Sequence, residues 1–111
     1  MQPYKNVYIW GTGVYGKKIL ELMKRLSCEV VGFIDSNVKN KFFEEREVFS
    51  STEILQNKTF LDEENAMICV ASEKYEFEII EILDKHGISR EKYICVSDFF
   101  ERAYNEFLNT L

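Results

Sequence analysis

Val7-Tyr8-Ile9-Trp10-Gly11-Thr12-Gly13-Val14-Tyr15-Gly16 is a short apolar run that gives way to three spaced glycines and then, from about residue 14, to an amphipathic stretch. The order reads as strand, glycine turn, helix. Each glycine has a use in such a turn. The first permits a tight reversal, the second lets backbone come close to a pyrophosphate, and the third lets the helix pack closely on the strand. The N–H groups that open the helix have no acceptor within it and form the positive end of its dipole, so the turn is shaped to receive a phosphate.

Working outward, the helix over about 14–27 carries Ile19, Leu20, Leu22, Met23 and Leu26 at the one-sided spacing of a core-facing helix. A second strand over about 29–34 contains Val30-Val31-Gly32-Phe33-Ile34 and ends at the turn-favouring cluster Asp35-Ser36-Asn37. Asp35 stands at the distance from the glycines at which a carboxylate accepts hydrogen bonds from ribose hydroxyls. The connection from Val38 to about Glu47 is charged and reads as irregular, and Val48-Phe49 reads as a short strand. Ser50-Ser51-Thr52-Glu53 has the form of a capping box, with Ser50 as N-cap of a short helix containing Ile54 and Leu55.

Met67-Ile68-Cys69-Val70-Ala71 is continuously apolar, as in a parallel strand buried on both faces, and Ser72 lies at its carboxyl end. A helix over about 73–86 places Tyr75, Ile79, Ile80, Ile82 and Leu83 on one side and stops at Gly87, a C′ residue by type. Tyr93 to Val96 reads as the last strand. Ser97-Asp98 then opens a terminal helix, 98–111, whose apolar face holds Phe99, Phe100, Ala103, Tyr104, Phe107, Leu108 and Leu111.

This alternation predicts a single α/β domain over residues 1–111, with a doubly wound parallel sheet of about five strands and helices on both faces. The expected strand order is 3-2-1-4-5. The crevice where sheet building reverses direction then gathers Gly11 to Gly16, Asp35 and Ser72.

The 111 residues, 46% of them apolar, suffice for one core without disulfide or metal. A net charge of −5 excludes sequence-independent binding to nucleic acid or to an anionic membrane surface, both of which need a basic field. Cys28, Cys69 and Cys95 show no metal or redox spacing and read as reduced core residues. No apolar run approaches the roughly 20 residues of a membrane span. A cytoplasmic protein without membrane insertion is expected.

Within the turn, Thr12 is expected to offer a hydroxyl donor to phosphate beside Val14, while Tyr15 either lies over a ligand or caps the core. Lys17 and Lys18 oppose the helix dipole unless an anion is near. His86, the single histidine, suits the C-terminal end of its helix. Glu73, Glu76, Glu78 and Glu81 read as a solvated face. A 2′-phosphate about 4 Å from Asp35 would cost from ~1 kcal/mol in water to ~4 at an effective dielectric of 20, so NAD or a sugar nucleotide fits better than NADP. No Ser/His/Asp, Cys/His or metal constellation is visible, and no tyrosine is followed by lysine at the fourth position.

The segments Tyr8 to Ile19, Val31 to Asn37 and Ile68 to Ser72 resemble the Rossmann-like nucleotide-sugar-binding domains of bacterial surface-polysaccharide enzymes. These include the N-terminal domain of sialic acid and bacillosamine type sugar acyltransferases and the related leading domain of membrane-bound nucleotide-sugar dehydratases. The resemblance implies phosphate contacts at Gly11, Gly13 and Gly16, nucleoside contacts at Asp35 and Ser36, and a flanking role for Ser72. It departs at Lys41 to Val48, where the family usually has glycines and a Pro-Val pair. The catalytic segments of both enzyme types lie in further domains, so no catalytic residue transfers.

Three readings stand at this point. The first is a non-catalytic module for a nucleoside-diphosphate sugar. The second is the NAD-binding part of an oxidoreductase or sugar dehydratase completed by another chain. The third is a ligand-free interaction domain. The 98–111 helix is the expected surface for a homodimer or an adjoining catalytic domain.

Overall fold

The computed structural model describes residues 6–57, 66–95 and 98. The terminal helix expected over 98–111, and the partner surface expected on it, lie outside the described residues beyond Asp98.

In chain order the elements are β1 (Val7–Trp10), α1 (Val14–Arg25), β2 (Val30–Asp35), β3 (Phe42–Phe43), β4 (Arg46–Ser50), α2 (Ser51–Gln56), β5 (Met67–Val70), α3 (Glu76–Lys85), a 3-10 turn (Arg90–Lys92) and β6 (Tyr93–Cys95). They form a mixed α/β structure around one sheet of order β3-β4-β2-β1-β5-β6. All neighbours pair parallel except β3 with β4.

The sheet differs from the expected five-strand order 3-2-1-4-5 in having six strands, the extra one at its edge. The connection after Asp35 is irregular over residues 36–41, as expected, but then forms a short strand. To start β4 parallel to β2 the chain must return to the amino end of the sheet, and it does so in extended form as β3 rather than as a helix. Phe43 anchors that return edge-on against Phe33, with ring centroids 4.8 Å apart at 89°. The turn into β4 is made by Glu44 and Glu45, both with positive φ (50° and 65°), and the Arg46 guanidinium bonds Val30 O and Glu44 O.

Alternation along the strands divides the core into two layers. Val7, Ile9, Phe33, Val48, Met67, Cys69 and Ile94 face α1, which contributes Ile19, Leu20 and Met23. Trp10, Ile34, Ile68, Val70, Tyr93 and Cys95 face the other way, against Ile54 and Leu55 of α2 and Ile79 and Leu83 of α3. All three cysteines are free and buried. Burial pushes the Cys69 thiol far above its ordinary range and the Cys95 thiol up to about 12.

Helix ends obey local chemistry. Gly87 has φ +72°, with Gly87 N–H on Asp84 O and Ile88 N–H on Leu83 O, the paired bonds of a Schellman ending. His86 caps α3, its Nδ1 2.9 Å from Ile82 O. Tyr75 does not join the buried side of α3. Ser72 Oγ accepts from Tyr75 N–H at 3.3 Å, the segment 72–75 is a turn, and α3 starts only at Glu76, which leaves Tyr75 48% exposed.

Candidate functional site

The carboxyl ends of β1, β2 and β5 lie level, since Trp10 is in register with both Ile34 and Val70. From β1 the chain builds outward through β2 and β4, then returns to add β5 and β6 on the other side. Above this reversal lies an open cleft of ≈ 960 Å³. Its floor is the glycine turn, one wall is Asp35-Ser36-Asn37 with Lys39, and the other is Ala71 to Tyr75 with Glu78, Ile79 and Ile82.

Steric demands separate the three glycines. Gly11 has φ +136°, and a Cβ there would stand 2.8 Å from Ala71 O, so both conformation and the approach of β5 require glycine. A Cβ on Gly16 would stand 2.1 Å from Gly11 O, because α1 crosses directly over the turn. Gly13 is different. Its φ is −103°, and a Cβ built there meets nothing within 4 Å. The fold itself makes no steric demand for glycine at this position, which borders the cleft.

Gly13 is also the N-cap of α1, where it supplies no side-chain cap, and no acid stands in the first turn. The first intrahelical bond is Lys17 N–H to Gly13 O at 3.2 Å. The N–H groups of Val14, Tyr15 and Gly16 precede it and have no acceptor within the helix.

Asp35 closes β2 half-buried. Its Oδ2 accepts from Thr12 Oγ1 at 2.7 Å and its Oδ1 from Asn37 N–H at 3.0 Å, which orients the carboxylate while leaving each oxygen further acceptor capacity. Thr12 is thus committed to Asp35 rather than offered to a phosphate. Tyr15 does not cap the core. Its hydroxyl donates to Glu73 Oε2 at 2.8 Å, joining the turn to the opposite wall. That hydrogen bond, followed by the charge of the same carboxylate, raises the Tyr15 phenol above its ordinary value.

Of the residues singled out from the sequence, Gly11, Thr12, Gly13, Val14, Tyr15, Asp35, Ser36 and Ser72 line this one cleft, while Gly16 is buried beneath it. Lys17 and Lys18 are not in the lining. Lys17 pairs with Glu44 at 3.9 Å, and the Lys18 ammonium lies over the Tyr15 ring. The cations that do line the cleft, Lys39 and Lys74, gave no signal in the sequence beyond their proximity to Asp35 and Ser72. Among the described residues no three His, Cys, Asp or Glu side chains gather into a metal site, and no helix is long and apolar enough to cross a membrane.

The family model described as C2185-like, N-terminal, matches residues 3–94, and the chain belongs to that family. Among curated proteins, none matches the chain.

Proposed function

We propose that this member of the C2185-like, N-terminal family is a nucleotide-binding module whose ligand is a nucleoside-diphosphate sugar, held but not transformed by this chain alone. Gly13 is the observation that carries the reading. A residue with an ordinary φ and empty space where its Cβ would stand has no steric reason to be glycine. A ligand backed against the turn gains close access to the backbone.

The surroundings support the same reading. A diphosphate at the start of α1 would meet the N–H groups of Val14, Tyr15 and Gly16, together with the positive end of the helix dipole. Ribose hydroxyls would donate to Asp35, already oriented by Thr12 and Asn37. The cleft volume suits a ligand of nucleotide size. On this reading the fold is Rossmann-like and doubly wound, extended at one edge by the β3–β4 hairpin, with its ligand at the point where sheet building reverses. The resemblance of Tyr8 to Ile19 and Val31 to Asn37 extends the proposal to bacterial surface-polysaccharide biosynthesis.

Calorimetric titration of the chain with UDP, UDP-glucose, ADP, NAD, NADP and CoA tests it. Saturable binding is expected for UDP-glucose and weaker binding for NADP, with roughly a ten- to hundredfold loss for Asp35→Ala. Preference for NAD over every UDP compound would favour the oxidoreductase reading instead. Silence toward all of them at millimolar concentration overturns the proposal.

A further inference from the structure

The glycine turn is tied to both walls of its cleft by side chains, and the two ties differ. Thr12 to Asp35 is half-buried and sits at the end of β2, whereas Tyr15 to Glu73 is exposed and bridges residues 58 apart in sequence. Tyr15 is the second residue of α1, so its side chain springs from the same turn of backbone whose N–H groups would receive a phosphate. Glu73, on the opposite wall, supplies the anionic oxygen that its hydroxyl now engages.

We infer that the Tyr15–Glu73 hydrogen bond is an exchangeable clasp: a bound diphosphate displaces the Glu73 carboxylate as acceptor, and the Tyr15 hydroxyl passes to the phosphate. The inference rests on the nucleotide reading and adds two residues with opposite effects on it. A diphosphate brought to the start of α1 repels the Glu73 carboxylate, weakening the clasp. The phenol loses nothing in number of bonds, because one anionic acceptor replaces another. Glu73 therefore competes with the ligand for a single donor, and its charge also disfavours an additional phosphate near that wall.

Exchange makes a prediction that a simple plug or a bystander contact does not. Removing Tyr15 removes a bond from the empty state and another from the loaded state, so Tyr15→Phe alone changes affinity by less than about threefold. Glu73→Ala frees the donor and tightens binding by roughly five- to tenfold. Adding Tyr15→Phe to Glu73→Ala then costs about tenfold, because only the loaded-state bond remains to be lost.

The experiment is this double-mutant cycle, titrated with UDP-glucose and NAD in parallel, with thermal melting confirming that each variant is folded. Strong non-additivity in the stated direction supports the clasp. Equal effects of Tyr15→Phe in both backgrounds, or a Tyr15→Phe variant that binds more than about threefold tighter than wild type, overturn it while leaving the nucleotide reading intact. A wild-type chain silent toward both probes overturns the two together.

Discussion

Two helices begin on the same sheet in opposite ways. α2 closes its own start: Ser50 Oγ accepts from Glu53 N–H at 3.1 Å, and Glu53 places an acid in the first turn. α1 does neither, with Gly13 at its N-cap and no acid in its first turn. A side-chain cap is worth about 1 kcal/mol over alanine and a few tenths over glycine, so α1 forgoes a small stabilisation that α2 keeps. The open start of α1 coincides with the cleft, and the closed start of α2 lies outside the cleft lining. On the proposed reading, what differs between them is the need to leave donors free at the cleft.

The comparison can be broken most severely at Gly16. Alanine there would drive its Cβ into Gly11 O, forcing α1 off the turn, and a loss of about 3 kcal/mol or more is expected in urea unfolding. Gly13→Asp sharpens the contrast, because it gives α1 the kind of cap that α2 already has. Its stability should stay within about 0.5 kcal/mol of wild type. Its carboxylate would occupy the start of the helix, so UDP-glucose binding should fall by roughly a hundredfold in calorimetry. A variant that binds as well as wild type separates Gly13 from the ligand. Ser50→Ala makes the smallest change, about 1 kcal/mol of destabilisation read by thermal melting with ligand affinity unaltered.

The two starts were also legible to different degrees. Ser50 and Glu53 announce a cap because both the donor and the acceptor belong to that short segment. The glycine turn is equally legible as spacing, but the separate reasons for its glycines are not: Gly11 and Gly16 answer to Ala71 and to each other across the fold, and only coordinates show that Gly13 answers to neither. Thr12 misleads for a similar reason, since its partner Asp35 is 23 residues away. Tyr75 fits the apolar side of a helix by spacing, and a single hydroxyl on Ser72 delays that helix by a turn.

The β3–β4 hairpin was hidden most completely. Tight hairpin turns with two positive φ angles favour Asn-Gly, and here they are made by Glu44-Glu45, which carries no turn signal at all. What compensates is nonlocal: Phe43 on Phe33 and Arg46 on Val30 O.

That hairpin also decides how much backbone the sheet leaves unpaired at this edge. Without it, β4 would end the sheet as a five-residue ribbon of unpaired backbone groups, the kind of margin along which separate chains stack into aggregates. β3 covers that margin with only two residues, Val48 N–H is further covered by Lys41 O, and the Lys41 ammonium lies over the exposed Phe42 ring. A stub this short, beside a positive charge, gives an incoming strand almost nothing to extend.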